Sequence, residues 1–276
     1  MRIDIVSLFP EFFDAFFSHS IIKRAIEAER LSMGVTNPRD FSHNKHGQVD
    51  DTPYGGGAGM LMMAPPIFEA VESVIAQYDS HINSTYSTDE MCDEMCLIGN
   101  PSESLRRRVI FMGPTGQPFT QEKARELATY DQIVLICGHY EGVDYRVEEH
   151  LVDETISIGD YVLTGGELPA MVVADAVARM IPGVLGAASG AQEDSFYEPL
   201  LECPQYTKPP EFRGWVVPDV LRSGHHKNIA TWRQKEALKR TRLLRPDLLE
   251  RPLTKEEVKL LKEIIAEESE RDKGEV

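Results

Sequence analysis

Apolar and polar positions along the first two thirds of the chain predict strands and helices in turn. Residues 109–112 and 133–137 are unbroken apolar runs, which are typical of strands covered on both faces of a parallel sheet. Between them, residues 120–130 have a helical pattern that begins at the N-cap candidate Thr120. This order of strand, helix and strand predicts a βαβ unit, and therefore an α/β fold with a parallel sheet.

The same periods predict the other elements. Residues 2–8 alternate as a strand around Asp4, and residues 155–158 form another short strand. Helices are predicted over residues 20–31, 65–77, 168–181, 228–244 and 254–271. Helix 168–181 is apolar almost all round, so we expect it to be buried, a subunit interface being one place for it.

Three of the predicted strands end at glycine. Gly113 follows the first, Gly138 the second and Gly159 the third, and Gly165 and Gly166 come soon after. Glycine lets the backbone approach a ligand closely, and open α/β sheets bind ligands at the carboxyl ends of their strands. These corners therefore predict a small-molecule site. The alternative is a set of tight turns that only reverse the chain, and the pattern favours neither.

Composition changes along the chain divide it into two predicted domains. We place a linker rich in glycine and proline at 186–202, between an α/β domain at 1–185 and a helical domain at 203–276. The last helix of the second domain begins with the capping box Thr254-x-x-Glu257.

Segment 79–105 differs in character from the rest of the α/β domain. It contains six acids and no Lys or Arg, so we predict a mobile surface insertion. Its Cys92 and Cys96 have no further ligands at metal-site spacing, and we interpret them as incidental.

The overall composition is that of an ordinary globular protein. Of 276 residues, 42% are hydrophobic, and no apolar run reaches the ~18 residues of a membrane helix, so no membrane partner is expected. Four cysteines in so long a chain do not form a disulfide framework, which favours a reducing cytoplasm.

The charge is acidic overall but basic in one place. The net charge is −16, yet residues 222–245 hold eight Lys or Arg against one acid, Glu236. Local charge decides where a phosphate backbone docks, so this segment predicts nucleic-acid binding. The alternative is a helix face whose charges are merely solvated.

A glycine-rich stretch at 54–59 invites a phosphate-loop interpretation that its neighbours exclude. No Lys-Ser or Lys-Thr follows it, so a nucleoside triphosphatase is not expected. Neither this stretch nor 113–116 fits the G-x-G-x-x-G pattern of dinucleotide-binding proteins, so a dinucleotide oxidoreductase is not expected either. The stretch is either a flexible clamp, in which Tyr54 stacks on a flat ligand, or a disordered turn.

Several longer strings point to one family. GHYEGVD at 138–144, SIGDYVLTGGELPA at 157–170, EDSF at 193–196 and CPQYTKP at 203–209 resemble bacterial tRNA (guanine-N1)-methyltransferases of the SPOUT class. That resemblance implies methylation of N1 of the guanosine immediately 3′ of the anticodon, guanosine 37, by S-adenosylmethionine. It also implies a parallel α/β domain with a deep C-terminal trefoil knot, a small all-helical tRNA-binding domain, and a homodimer whose subunits share the active site.

The resemblance also implies a cofactor pocket made by three loops that follow apolar strands. The residues implied are Pro114, Gly116, Gly138, Tyr140, Glu141, Gly142, Ser157, Ile158, Gly159, Asp160, Tyr161, Val162, Leu163, Gly165, Gly166 and Pro169.

Asp194 and Arg179 are the catalytic residues implied. Asp194 would take the N1 proton of guanine, and Arg179 would supply positive charge. The alternative for Arg179 is an ordinary helix pair with Asp175, four residues before it. The family's requirement for Mg²⁺ is expected to apply as well, but no metal-ligand cluster is visible in the sequence.

For the tRNA, we expect contacts from the glycine-rich stretch and from basic residues. These are Tyr54, Gly55, Gly56, Gly57, Gly59, Arg39, His46, Arg222, Lys227 and Arg233. Two other interpretations remain: a non-catalytic RNA-binding protein on the same scaffold, and a related knotted enzyme that methylates ribose or rRNA.

Overall fold

The computed structural model describes residues 1–86, 105–186 and 194–274, and the chain forms two compact units, Met1–Ala188 and Ser189–Val276. The first unit is a five-stranded, entirely parallel sheet with helices on both faces. The predicted α/β class with a parallel sheet is therefore confirmed.

Five strands form the sheet, in the order β2-β1-β6-β5-β7. They are β1 (Arg2–Val6), β2 (Ser32–Thr36), β5 (Arg107–Pro118), β6 (Gln132–Cys137) and β7 (Glu154–Ser157), and a separate antiparallel pair is made by β3 (Asp50–Asp51) and β4 (Leu61–Met62).

Within residues 1–86 and 105–186, six α-helices belong to the same unit. They are α1 (Asp14–Ser18), α2 (Ser20–Glu27), α3 (Ala64–Tyr86), α4 (Gln121–Leu127), α5 (Tyr145–His150) and α6 (Glu167–Met180), with short 3₁₀ turns at Pro10–Phe13 and Pro38–Phe41. Thr120 caps α4 as predicted, since its hydroxyl accepts a hydrogen bond from the Lys123 N–H at 3.2 Å. None of the helices in the described part of the chain is both long and apolar enough to cross a bilayer.

The buried side chains of β6 explain why the sheet carries a core on each face. All six residues of this strand are buried. Ile133 and Leu135 pack with α2, α4 and α6, whereas Val134 and Ile136 pack with α3 and α5 on the opposite face. This alternation is what a central strand between two helical layers requires.

Asp4 is a charged residue inside the buried part of β1, and its partners account for it. The Arg2 guanidinium donates to its carboxylate at 2.6 Å, and the Gln132 side-chain amide donates at 2.7 Å. A buried carboxylate is tolerable when it is paired and hydrogen-bonded in this way.

The structure differs from the predicted elements of this unit in several places. The predicted strand stop at Gly113 is wrong, because β5 loops outward between Met112 and Gln117 and then pairs with β7 again up to Pro118. Strand β2 was not predicted, because Ser, Gly and Thr dilute its apolar pattern at an edge of the sheet.

The third difference concerns the acidic insertion predicted at 79–105. Helix α3 continues to Tyr86, and Asp79 pairs with Arg107 at 2.5 Å, so the first part of the segment is helical. The remainder, 87–104, includes Cys92 and Cys96 and lies outside the described residues.

The second unit is mostly helical. It contains α7 (Asp219–Arg222), α8 (His226–Leu244) and α9 (Lys255–Gly274), a 3₁₀ turn at Pro246–Leu249, and an antiparallel pair of two-residue strands, β8 (Glu211–Phe212) and β9 (Trp215–Val216). The pair means that this unit is not purely helical. Its core is Leu238 from α8 with Leu260 and Ile264 from α9.

The predicted capping box at the start of α9 is confirmed. Thr254 Oγ1 accepts from the Glu257 N–H at 3.2 Å, and Glu257 Oε2 accepts from the Thr254 N–H at 2.7 Å.

Residues just after the undescribed stretch 187–193 belong to the second unit's packing. Leu200 contacts the core of this unit, and the Leu201 N–H donates to the buried Thr241 hydroxyl at 2.9 Å. This part of the segment assigned to a linker from sequence is therefore ordered against α8.

Candidate active site

The carboxyl ends of β6 and β7 and the outward loop of β5 surround a cavity of about 150 Å³. Fourteen of the sixteen residues expected to bind a cofactor line it: Pro114, Gly138, Tyr140, Glu141, Gly142, Ser157, Ile158, Gly159, Tyr161, Val162, Leu163, Gly165, Gly166 and Pro169. Gly116 and Asp160 are not among the lining residues. The glycine corners thus meet at one place, as ligand sites of parallel sheets do.

Gly116 marks a close approach of two backbones. A Cβ atom at this position would collide with the backbone of β7, including the Thr155 carbonyl group and Ile156 N, the latter at 2.6 Å. Glycine is therefore needed here because the loop of β5 lies directly against the backbone of β7.

Gly166 also marks a close backbone approach, this time at the cavity. Its N–H donates to the Gly138 carbonyl at 2.9 Å, and a Cβ here would lie 2.6 Å from Cys137 Cα. The start of α6 is thereby fixed directly against the end of β6. The loop that follows β6 and the loop that precedes α6 therefore form one wall of the cavity.

Six further residues line the cavity that were not named individually as cofactor contacts, although Gly113, His139 and Thr164 lie within or beside the predicted loops. They are Phe111, Met112, Gly113, His139, Ile156 and Thr164. Phe111 and Ile156 belong to the strands themselves and give the cavity an apolar floor. Their signal in the sequence was only that each stands near the carboxyl end of an apolar run.

A buried polar group lies where β1 ends and α6 begins. The Ser7 hydroxyl donates to Glu167 Oε1 at 2.7 Å, and both side chains are almost fully buried. A Cβ added to Gly165 would lie 2.9 Å from His139 Nδ1 and closer still to Glu167 Oε2, so a side chain would not fit unless these groups moved. The His139 ring in turn packs edge-on against Phe9, with centroids 4.9 Å apart.

Cys137, at the end of β6, has an unreactive thiol. Burial raises the pKa of its thiol well above the usual range, and the negative charge of Glu167 raises it further. The nucleophilic form of cysteine is the thiolate, so this side chain packs and does not react.

The glycine-rich stretch at 54–59 is attached to the cavity wall. The Glu141 N–H donates to the Met60 carbonyl at 3.1 Å, and the Met62 N–H donates to the Gly142 carbonyl at 3.0 Å. Gly55, Gly56, Gly57 and Gly59 all have positive φ. Tyr54 is fully exposed at the start of this loop, so its ring is available to stack.

Arg39 and His46, the other expected tRNA contacts of the first unit, lie on the loop before β3. Both side chains are exposed, and the Arg39 guanidinium donates to the Gly47 carbonyl at 3.2 Å. Arg179 is half-buried near the end of α6, on a helix whose inner face is formed by Val173, Ala174 and Val177.

Asp194 belongs to the second unit, where it lines a cavity of about 330 Å³. Arg233 of α8 lines the same cavity, together with Glu198 and Cys203. The structure therefore brings a proposed catalytic acid and a proposed tRNA contact together, which their spacing in sequence did not indicate.

The basic segment is partly neutralised by the helix that packs on it. Lys235 pairs with Glu267 at 2.6 Å, and Arg242 pairs with Glu268 at 2.5 Å. Arg245 pairs with Asp247 at 2.7 Å. The sequence excess of eight basic residues therefore overstates the free positive charge.

Other basic residues keep the segment positive. Arg222 and Lys227 are exposed, the former 3.8 Å from Asp219. No ion pair within the described part of the chain involves Lys227, Arg233, Lys239 or Arg240.

Comparison with known proteins identifies the family. The model of the family described as "tRNA (Guanine-1)-methyltransferase TrmD" matches residues 1–251. The chain belongs to this family. It is 54% identical to a tRNA (guanine-N(1)-)-methyltransferase of Desulforamulus reducens over 265 residues, which cover 96% of this chain and 95% of that protein.

Relatives from other bacteria agree. The chain is 53% identical to an enzyme of the same name from Brevibacillus brevis, over 96% of this chain and 98% of that protein. It is 50% identical to one from Dehalococcoides mccartyi strain CBDB1, over 98% of this chain and 99% of that protein. The resemblance inferred from the glycine-containing strings is confirmed, and the chain is a methyltransferase of this family.

The described side chains do not suggest where this family's expected Mg²⁺ would bind. Among residues 1–86, 105–186 and 194–274, no three His, Cys, Asp or Glu side chains come together in a group that could hold a metal ion. We therefore assign no ligands to Mg²⁺ and derive no chemical step from it.

Proposed function

We propose that this chain transfers a methyl group from S-adenosylmethionine to N1 of guanosine 37, the nucleotide immediately 3′ of the anticodon in tRNA. The observation that carries the proposal is the glycine-bordered cavity at the carboxyl ends of two parallel strands and the outward loop of a third. An α/β sheet binds small molecules at this place. Membership of the family supplies the reaction class.

The cavity has the chemical character that S-adenosylmethionine requires. Phe111, Ile156 and Leu163 offer an apolar surface to the adenine ring, while Glu141 and Ser157 offer polar groups at the border. Backbone groups between 158 and 163 would hold adenine and ribose. The bound cofactor supplies an activated methyl group on a sulfonium, which is already a good leaving group.

The remaining difficulty lies in the nucleophile, and Asp194 is the residue we assign to it. Guanine N1 carries a proton at neutral pH, and a positioned general base contributes about 10²–10⁴-fold to such a step. An aspartate in water has a pKa of ~3.9 and is a weak base. We therefore assign to Arg179 the stabilisation of the negative charge that develops on guanine O6.

The activity is tested with unmodified tRNA and methyl-labelled cofactor, followed by nucleoside analysis. The expected product is 1-methylguanosine from position 37. Label on a ribose oxygen, or tRNA binding without any transfer, would favour the two alternative classes and refute the proposal.

The role of Asp194 is tested by Asp194→Ala. We expect methyl transfer to fall by about 10²-fold or more, while calorimetry shows cofactor affinity near wild type, because the cavity belongs to the other unit. Asp194→Glu is the matched control, since it retains a carboxylate. Wild-type turnover in the alanine variant would remove Asp194 as the base.

We propose tRNA contacts from the glycine-rich loop and from the basic residues of the second unit. The exposed ring of Tyr54 and the exposed cations Lys227 and Arg233 support this assignment. Phosphate contacts position tRNA and make binding depend on salt. Removing Lys227 should therefore lower the slope of log affinity against log salt by about one.

We also propose a homodimer with an active site shared between subunits. Apolar side chains near the cavity mouth, Val162, Leu168 and Val172, are each about half or more exposed in the single chain, which supports a covering partner. Mixing inactive Asp194→Ala and Arg179→Ala chains tests the sharing. If Asp194 and Arg179 act from different subunits, mixed dimers should recover activity. Absence of recovery would contradict a shared active site.

The finer fold assignments are proposals as well. A trefoil knot is proposed on the chain's membership of the family. Pulling the chain by both termini tests it, because a knotted chain stops short of its full contour length. We also propose an α/β domain at 1–185, a linker at 186–202 and a tRNA-binding domain at 203–276. A requirement for Mg²⁺ and a cytoplasmic location are proposed on the same family membership.

A further inference from the structure

The hairpin formed by β8 and β9 is exposed and has an unusual tip. Its two-residue turn is Arg213-Gly214, with φ of 55° and 83°. Positive φ at both central positions is the type I′ geometry that tight hairpins favour, and Asn-Gly or Asp-Gly normally provides it. Arginine pays a conformational cost in this region of φ. The backbone alone therefore does not explain why arginine stands at the tip.

The side chains at the tip form one aromatic and cationic surface. Phe212 and Trp215 are directly opposite each other across the strands, with ring centroids 6.2 Å apart. The Arg213 guanidinium lies over the Phe212 ring, 5.1 Å from its centroid. Phe212 is 55% exposed and Trp215 is 69% exposed, so neither ring belongs to a core.

The hairpin is exposed, and although Glu211 and Asp219 offset Lys208 and Arg213 locally, the chain beyond it is basic. Every residue from 205 to 216 is exposed. Lys208 precedes the hairpin in the chain, and the basic segment at 222–245 follows it. Such a setting suits a polyanion.

We propose that this hairpin tip is an RNA-contact site, on which an unpaired base of the tRNA stacks against Trp215 and Phe212. The inference rests on the proposed function, because it takes tRNA as the partner. Unstacked bases of RNA loops are held on aromatic rings and guanidinium planes, and each such base contributes substantially to affinity.

Two other occupants fit the hairpin less well. The paired strands are two residues long, and Pro209, Pro210 and Pro218 flank them, so their edges offer little for a peptide strand to pair with. Three projecting side chains are also far smaller than the ~800 Å² per partner that a stable protein interface buries. A single flat base matches the size of the surface.

The test compares binding of full-length chains to a tRNA transcript. Trp215→Leu removes the ring but keeps apolar bulk, and we expect affinity to fall between about 5-fold and 100-fold. Trp215→Phe should bind within about threefold of wild type, because it keeps a ring. Val216→Ala, in the same hairpin, is the matched control and should bind as wild type.

The salt dependence separates stacking from phosphate contacts. Trp215→Leu should weaken binding at every salt concentration without changing the slope of log affinity against log salt, because no charge is lost. Unchanged affinity of Trp215→Leu, or equal losses in Trp215→Leu and Trp215→Phe, would overturn the proposal.

Fluorescence provides a direct signal. The chain has two tryptophans, so Trp232→Phe leaves Trp215 as the sole one, and stacking of a base should quench it. Absence of quenching when tRNA binds would overturn the proposal, as would a change of oligomeric state in Trp215→Leu without RNA. Methyl transfer at saturating tRNA should persist in the control Val216→Ala. If wild type makes no 1-methylguanosine, it is the proposed function that fails.

Discussion

Acid should destabilise the second unit, and protonation of one carboxylate, Glu257 at the start of α9, should account for much of the loss. Arg251 donates to it at 2.6 and 3.2 Å, and the Thr254 N–H donates at 2.7 Å. These bonds, those from Arg251 first, lower the pKa of Glu257 to about 2. The carboxylate is buried, with 5% of the residue exposed, so solvent screens the interaction little.

The size of the effect follows from linkage. An unfolded glutamate has a pKa of ~4.3, so the lower folded value corresponds to about 3 kcal/mol of folding free energy at neutral pH. A lowered pKa means that this stabilisation is present above the unfolded value and disappears as pH falls towards the folded value. Between pH 6 and pH 3 the loss is about 2 kcal/mol.

Both tryptophans, Trp215 and Trp232, lie in the second unit, so urea unfolding followed by tryptophan fluorescence reports on that unit. We expect Glu257→Gln to cost about 2–3 kcal/mol at pH 6 and to remove most of the loss between pH 6 and pH 3. Glu268→Gln, which breaks an exposed pair with Arg242, is the matched control and should cost under about 1 kcal/mol. If the stability of Glu257→Gln falls with pH as steeply as that of wild type, the assignment is refuted.

Two further predictions concern the first unit. Gly166→Ala places a Cβ 2.6 Å from Cys137 Cα, so calorimetry should show loss of S-adenosylmethionine binding, with unchanged unfolding of the second unit by tryptophan fluorescence. Ser7→Ala leaves buried Glu167 without its 2.7 Å donor and should destabilise the first unit by about 1–3 kcal/mol, measured by circular dichroism in urea.

Local patterns predicted the elements whose cause is local. Five apolar residues in a row, 133–137, made β6 recognisable, because a central parallel strand is apolar on both faces. The capping box of α9 was recognisable for the same reason, since Thr254 and Glu257 bond each other within one turn. The short strand β2 was missed because its pairing with β1, and not its own residues, makes it a strand.

The candidate site was predictable where glycine follows a strand, but the tasks of the individual glycines were not. Gly116 and Gly138 both follow apolar runs in the sequence. Gly138 lines the cavity, whereas Gly116 lies against the backbone of β7 some forty residues later in the chain. A glycine in the sequence indicates that a side chain does not fit at that position. It does not show which atoms exclude the side chain, because those atoms belong to a distant segment of the chain.

The free positive charge of the basic segment could not be predicted from its sequence alone. A count over 222–245 treats all basic residues alike, although α9 contributes Glu267 and Glu268 to neutralise Lys235 and Arg242. The cations without such partners in the described structure include Lys227 and Arg233, which are both exposed. Free positive charge in this unit therefore depends on which basic residues of α8 the acids of α9 reach, and our proposal is that tRNA binds the basic residues that remain unpaired.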